Sequence, residues 1–191
     1  MHDEAQEPTK YYLIDTPGHG KLRPEKALSH LEDRSLAGVI YVVDAASLGS
    51  GDPAPLKDTA SYLHDILLYL QRRKAGKGSS KTKAEIPVLI AANKQDLFTA
   101  LPAGAVKERL EKAIELVRES KRRGLADVGK GAEEENEDEE NILAGGGEQQ
   151  FAFKLLEDEF GIPVEVTPGE VRGDGAGRGV DRWENWIGQQ L

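Results

Sequence analysis

Pro87-Val88-Leu89-Ile90-Ala91-Ala92-Asn93-Lys94-Gln95-Asp96 is a short apolar run that stops on four polar residues. An uninterrupted run of this length fits a strand buried on both faces, as in the middle of a parallel sheet. In open α/β sheets ligands bind beyond the carboxyl ends of the strands, so the polar quartet stands where a ligand would be read. An Asp there can accept both the N1–H and the 2-amino group of guanine. Adenine offers neither donor and would leave the carboxylate desolvated and unpaired, a difference worth a discrimination of about 10⁴. The stem of Lys94 can cover a purine face, and Asn93 can tie neighbouring loops together. Taken alone, Asn-Lys-x-Asp is often just a solvated turn. Its place at a strand end, one strand unit after a second motif, makes the guanine site the better reading.

The second motif is Asp15-Thr16-Pro17-Gly18-His19. Lys10-Tyr11-Tyr12-Leu13-Ile14 before it is aromatic and β-branched, and predicts a buried strand that delivers Asp15 at its carboxyl end. A carboxylate there can hold Mg²⁺ through water, because Mg²⁺ sheds its hydration shell reluctantly. Gly18 lets a backbone N–H approach a terminal phosphate oxygen without a side-chain clash. His19 stands where a side chain could orient an attacking water. The plain alternative is a strand ending in an ordinary Asp-Pro-Gly turn.

The chain has 191 residues, enough for one core, and no cysteine, which excludes disulfides and thiolate metal sites. Its four histidines are scattered, without metal-ligand spacing. No apolar run approaches the roughly 20 residues of a membrane helix. The formal charge is −9, but Glu133, Glu134, Glu135, Glu137, Asp138, Glu139 and Glu140 supply −7 of it. The body is therefore nearly neutral, and its charge says little about partners.

Strand–helix alternation follows. A helix is predicted over about Pro24 to Arg34, and a buried strand over Gly38 to Asp44. Leu56, Ala60, Leu63, Leu67 and Leu70 mark one apolar helix face. Lys74 to Lys83 reads as a Gly/Ser/Lys linker, extending to residue 85. The next strand is Val88 to Ala92, and Val106, Leu110, Ile114 and Val117 line one side of a charged helix. Pro163 to Thr167 is a short last strand, and Val180, Trp183, Trp186 and Ile187 make a closing helix. This order predicts an α/β fold, a mostly parallel sheet covered on both faces.

Residues 124–150 break the pattern: Gly-rich at the ends, acidic in the middle, poor in apolar residues. They predict a disordered insertion rather than a domain, with an acidic docking segment as the functional alternative. Gly124-Leu125-Ala126-Asp127-Val128-Gly129-Lys130 has the spacing of a phosphate loop. It follows a helix rather than a strand, is followed by Gly131 with no hydroxyl for Mg²⁺, and runs into carboxylates that repel phosphate. Gly124 reads more simply as a helix C-cap. No G-x-x-x-x-G-K-[ST] loop precedes Asp15.

Leu13 to Arg23, Val42-Val43-Asp44-Ala45-Ala46 and Leu89 to Leu97 together resemble the β-subunit family of the signal recognition particle receptor. Phe151-Ala152-Phe153, Arg172-Gly173-Asp174 and Trp183-Glu184-Asn185-Trp186-Ile187 add to the likeness. It covers nearly all the chain except the two polar insertions, and Pro-Gly-His-x-Lys-Leu-Arg is its most specific part. The resemblance implies a Ras-like GTPase domain over 1–191, using GTP and Mg²⁺, on the cytosolic face of the endoplasmic reticulum. It implies a heterodimer in which the GTP-loaded domain binds the N-terminal domain of the receptor's α subunit near the translocon, with no direct nucleic-acid binding. By position Asp15 would serve Mg²⁺, Gly18 the γ-phosphate, and Asn93, Lys94 and Asp96 the base, with His19 in the water-orienting place. Thr167-Pro168-Gly169 takes the place of the family's last base-contacting loop, usually Ser-Ala-Lys.

In that family a phosphate loop, its helix and another strand precede Asp-x-x-Gly, and a transmembrane helix anchors the domain. None of these lies in residues 1–191, so the chain by itself is expected neither to fold stably nor to hold GTP. Three function classes compete. One is a GTP-dependent interaction module with slow or partner-dependent hydrolysis, which the closing tryptophan helix and Asn-Lys-Gln-Asp-Leu favour. The others are a hydrolysing GTPase of the translation-factor or Arf/Sar type, and a nucleotide-free scaffold.

Overall fold

In the computed structural model, residues 10–75, 85–128, 142–144, 149–172 and 179–191 are described. Three strands, β1 (Val39–Asp44), β2 (Val88–Asn93) and β3 (Val164–Pro168), form one sheet in that order. Both pairings are parallel, with Val39 opposite Val88 and Val88 opposite Val164. β2 is bonded on both sides, and Val88 through Ala92 are all fully buried. Pro168, which has no N–H to give a ladder, ends the edge strand β3, where a proline is tolerated. Parallel strands need long crossovers, and here helices supply them.

The helices are α1 (Arg23–Lys26), α2 (Pro53–Ala75), α3 (Ala103–Val128), α4 (Phe153–Phe160) and α5 (Asp181–Gln189). On one sheet face, Tyr41, Val43, Val88, Ile90 and Ala92 pack with Ala60, Leu63, Leu67 and Leu70 of α2 and Val106, Leu110 and Ile114 of α3. Phe153 and Leu156 of α4 complete that core. On the other face, Leu89 and Ala91 meet Trp183 and Trp186 of α5. The predicted α/β class, a parallel sheet with helices on both faces, is what forms.

Several expectations need correction. The strand predicted at 10–14 does not form: Tyr12 is 97% exposed and Leu13 73%. A strand exists only when a neighbour takes its backbone hydrogen bonds, and the edge of β1 away from β2 carries no strand among the described residues. The helix predicted over Pro24–Arg34 is divided into the single turn α1 and a 3₁₀ stretch, Leu28–Glu32, whose Leu31 is buried. The linker expected at 74–85 begins later, because α2 continues through Lys74 and Ala75. Residues 76–84 lie outside the described residues.

The insertion expected at 124–150 is also narrower. Gly124 is no C-cap, since α3 runs on to Val128. Leu143 and Ala144 are fully buried in the main core. Two buried polar side chains, Gln71 and Arg118, each 4% exposed, hold this piece. Gln71 donates to the Ile142 carbonyl at 2.9 Å and accepts from Ala144 N–H at 2.8 Å. Arg118 donates to the Ala144 carbonyl at 2.8 Å and to Glu115 at 2.8 Å, and stacks on Phe151. Glu115 and Glu111 accept the N–H groups of Phe151 and Phe153 at 2.6 and 2.9 Å. The acidic run, Glu133–Glu140, lies outside the described residues.

Candidate nucleotide site

The loops leaving β1, β2 and β3 are laced together at the carboxyl edge of the sheet. Ala45 N–H donates to Asn93 O at 3.1 Å, and Leu101 N–H donates back to Ala45 O at 3.1 Å. Gly169 N–H reaches Ala92 O at 3.0 Å, and Gln95 N–H reaches Gly169 O at 3.2 Å. Asn93 Oδ1 accepts from Lys94 N–H at 2.8 Å and from Val171 N–H at 3.1 Å. Asn93 therefore does tie neighbouring loops, as its residue type suggested. Gln95 adds its own strap, donating from Nε2 to Leu101 O at 2.9 Å.

Lys94 is bent into the left-handed region, φ +68°, which an L residue adopts at a cost of about 1–3 kcal/mol. Its ammonium pairs with Asp44 at the end of β1, Nζ to Oδ2 at 2.6 Å. Asp44 also accepts from Ala46 N–H, Ser47 N–H and Ser47 Oγ at 3.0, 3.0 and 2.6 Å. Partial burial pushes the Asp44 carboxyl up, but the hydrogen bonds from Lys94 and Ser47 outweigh it and hold it at about 2. Sequence reading placed Asp44 at a strand end without a role. Its carboxylate fixes Ala46 and Ser47 just beyond β1 and the side chain of Lys94.

The strain and the lacing present one group freely. Asp96 is exposed and has no hydrogen bond or ion pair among the described residues, while its neighbours on either side are fixed. An acceptor-only carboxylate with both oxygens open suits a ligand edge that carries two adjacent donors. Thr167 is placed differently. It is 7% exposed within β3, its hydroxyl donates to Glu165 at 2.9 Å, and its carbonyl accepts the Trp183 indole N–H at 3.2 Å. Its side chain is spent inside the chain rather than offered to a base. Gly169 beside it has no room for a side chain, because a Cβ would come within 2.5 Å of Gly179 O and of the Trp183 ring. The lysine usual at that place in the resembled family would not fit.

The Asp15–His19 segment is exposed except for half-buried Thr16. A Cβ at Gly18 would meet nothing within 4 Å, so packing inside the chain does not demand glycine there. The open face suits close approach by an outside group to the backbone. His19 Nδ1 accepts weakly from Lys21 N–H at 3.4 Å. Asp15 has no partner among the described residues. No hydrogen bond or ion pair among them joins Asp15–His19 to the Asn93–Asp96 loop.

No group of three or more His, Asp or Glu residues able to hold a metal occurs among the described residues, and no helix there is long and apolar enough to cross a membrane. Asp96 and Asp15 are both exposed carboxylates whose oxygens no described residue occupies.

Three comparisons bear on this geometry. The family model of the signal recognition particle receptor beta subunit matches residues 2–160. The "Signal recognition particle receptor subunit beta" of Saccharomyces cerevisiae is 32% identical over 181 residues, 94% of this chain and 66% of its own length. This chain thus spans less than two thirds of that relative. The solved signal recognition particle receptor SRb-GDP-Mg of Chaetomium thermophilum superposes with a TM-score of 0.76 at 40% identity, covering 93% of this chain and 79% of that one. The SRb-GTP/SRX complex of the same organism gives 0.73 at 39% identity, covering 93% and 66%. The chain belongs to the signal recognition particle receptor beta subunit family.

Proposed function

We propose that this chain, as one GTPase-type domain over 1–191, carries the guanine-reading and γ-phosphate-sensing parts of a receptor β subunit. In this reading Asp96 takes the N1–H and 2-amino donors of GTP, while Asn93 and Lys94 hold its loop. Thr167 keeps its hydroxyl on Glu165 within β3 and does not touch the base. Asp15 holds Mg²⁺ through water, the Gly18 amide meets the γ-phosphate, and His19 orients water for a hydrolysis that is slow or partner-dependent. Grip on the remaining phosphates belongs to groups outside these motifs. The observation that carries the proposal is the unpartnered Asp96 carboxylate on a loop fixed at both sides.

GTP loading then permits docking of the receptor α subunit's N-terminal domain as a heterodimer, at the cytosolic face of the endoplasmic reticulum membrane near the translocon. The SRb-GTP/SRX relative is consistent with such a GTP-loaded assembly. The test uses the protein purified in the assembly it occupies in its cells. Asp96→Ala should weaken guanine-nucleotide binding by about 100-fold, since it removes a charged acceptor for two donors. The melting temperature of the nucleotide-free protein should stay within about 1 °C, because Asp96 bonds nothing among the described residues. Capture on immobilised α-subunit N-terminal domain should require GTP and fail with GDP. Equal capture of nucleotide-stripped protein would instead favour a scaffold.

A further inference from the structure

Arg23 makes contacts that none of these roles uses. Its Nε donates to the Gly18 carbonyl at 2.9 Å. Its terminal nitrogens grip both oxygens of Asp58 on α2 at 3.1 and 2.8 Å. Its guanidinium carbon lies 4.2 Å from the centre of the Tyr62 ring, also on α2. Tyr62 meets Tyr41 of β1 edge-on with centroids 5.6 Å apart, and the Tyr41 hydroxyl donates to Thr59 O at 2.9 Å. One side chain thus joins the turn to α2, and Tyr62 carries the contact on to the sheet.

A planar fork with donors on three sides can do this, and an ammonium cannot. The Arg23–Asp58 hydrogen bonds raise the guanidinium's pKa and lower the carboxyl's, so both stay charged through the neutral range. The other hydrogen bonds of residues 18–22 are internal or run into α1: Leu22 N–H to His19 O at 2.8 Å, Lys21 N–H to His19 Nδ1, and Lys26 N–H to Leu22 O at 2.9 Å. Among the described residues, Arg23 is the side chain that bonds Gly18.

We propose that Arg23 is a positioning residue for the phosphate-reading turn, holding the Gly18 carbonyl against the Asp58–Tyr62 face of α2. The proposal rests on the reading of Gly18 given above. Because the peptide unit is planar, fixing the Gly18 carbonyl aims the His19 N–H the opposite way. A ligand that needs the turn in this place gains from the clamp, and one that does not read the turn is indifferent to it. By that difference in affinity, occupancy of the turn is coupled to the exposed Asp58 face of α2.

Arg23→Gln, Arg23→Lys and Asp58→Asn, made in the protein as purified from its cells, test this. GTP and GDP affinities are measured separately, and the amide resonances of Gly18 and His19 are followed by NMR. Arg23→Gln should weaken GTP by about tenfold and GDP by less than about twofold, the size of one charge-assisted hydrogen bond. Arg23→Lys should fail to rescue, and Asp58→Asn should give an intermediate loss. The Gly18 and His19 amides should shift in Arg23→Gln while the melt, lowered by the lost Asp58 and Tyr62 contacts, stays a single cooperative transition. Equal losses for both nucleotides, or rescue by lysine, would overturn the proposal. If the unaltered protein binds no guanine nucleotide, the function proposed above fails. The clamp is still decided then, since unmoved Gly18 and His19 amides refute it and moved ones support it.

Discussion

Two apolar runs in this chain deliver polar motifs and have opposite fates. Val88-Leu89-Ile90-Ala91-Ala92 becomes the central strand, bonded on both sides and fully buried. Tyr11-Tyr12-Leu13-Ile14 forms no strand and lies in the open. By residue type the second is as strand-prone as the first, since tyrosine, isoleucine and leucine suit a half-buried pleat. The difference is supplied by neighbours: β1 and β3 accept the ladder of β2, while residues 10–14 find no edge among the described residues. The two motifs inherit this contrast. Asn93–Asp96 is fixed by the sheet through backbone and side-chain bonds from three loops, whereas Gly18 is held by the single side chain of Arg23.

The largest effect that could break the contrast is in the central strand. Ile90→Ala, at a fully buried site, should cost about 2–5 kcal/mol in a urea melt through lost burial and the cavity left behind. A cost below about 1 kcal/mol would mean that the β2 core is loose, and that the rigidity ascribed to the Asn93–Asp96 loop has no foundation.

Much of this was legible beforehand, and what was not has a common cause. β1 and β2 were readable because each is a continuous apolar run, and the short β3 because Val164 and Val166 alternate with polar residues. The faces of α2, α3 and α5 were readable because Leu63, Leu67 and Leu70, Val106, Leu110 and Ile114, and the two tryptophans fall at helical spacing. Asn93 as a tie between loops was readable because it stands where β2 ends. Contacts between distant segments leave no period. Ile142-Leu143-Ala144 looks like three apolar residues lost in a polar insertion, and only Gln71 and Arg118 make it core. Asp44 gains its role from Lys94 just beyond β2, Arg23 from Asp58 and Tyr62 on α2. Thr167 shows the reverse: a residue suited to a ligand loop is withdrawn, because Glu165 and Trp183 occupy its polar atoms.

A smaller effect separates the two motifs by acid. The Asp44 carboxyl lies at about 2 when folded, against an ordinary 3.8. A depressed carboxyl contributes stability that is fully present above its unfolded pKa and is lost as pH falls through the folded one. That loss should therefore run from about pH 4 down to about pH 2. Lys94 is half exposed, so solvent discounts the pair to about 1 kcal/mol or less. In melts taken between pH 7 and pH 2.5, Asp44→Asn should be slightly less stable at neutral pH and should flatten the acid limb. An unchanged limb would remove Asp44 as the post that holds Lys94 and its loop.

The smallest expected effect is at Tyr12. Its ring is almost wholly in solvent, so Tyr12→Ser removes no buried apolar area and leaves no cavity, and the melt should move by less than about 0.5 kcal/mol. The measurement cuts both ways, because Tyr12 and Ile90 are matched in strand propensity and differ here only in having neighbours. A cost of 2 kcal/mol or more would show that the ring is covered in the protein as it occurs in its cells. The run at 10–14 would then have found the strand edge it lacks here, and the Asp15–His19 turn would be fixed by a sheet as firmly as the Asn93–Asp96 loop. A negligible cost in that same material leaves Arg23 as the turn's principal tether.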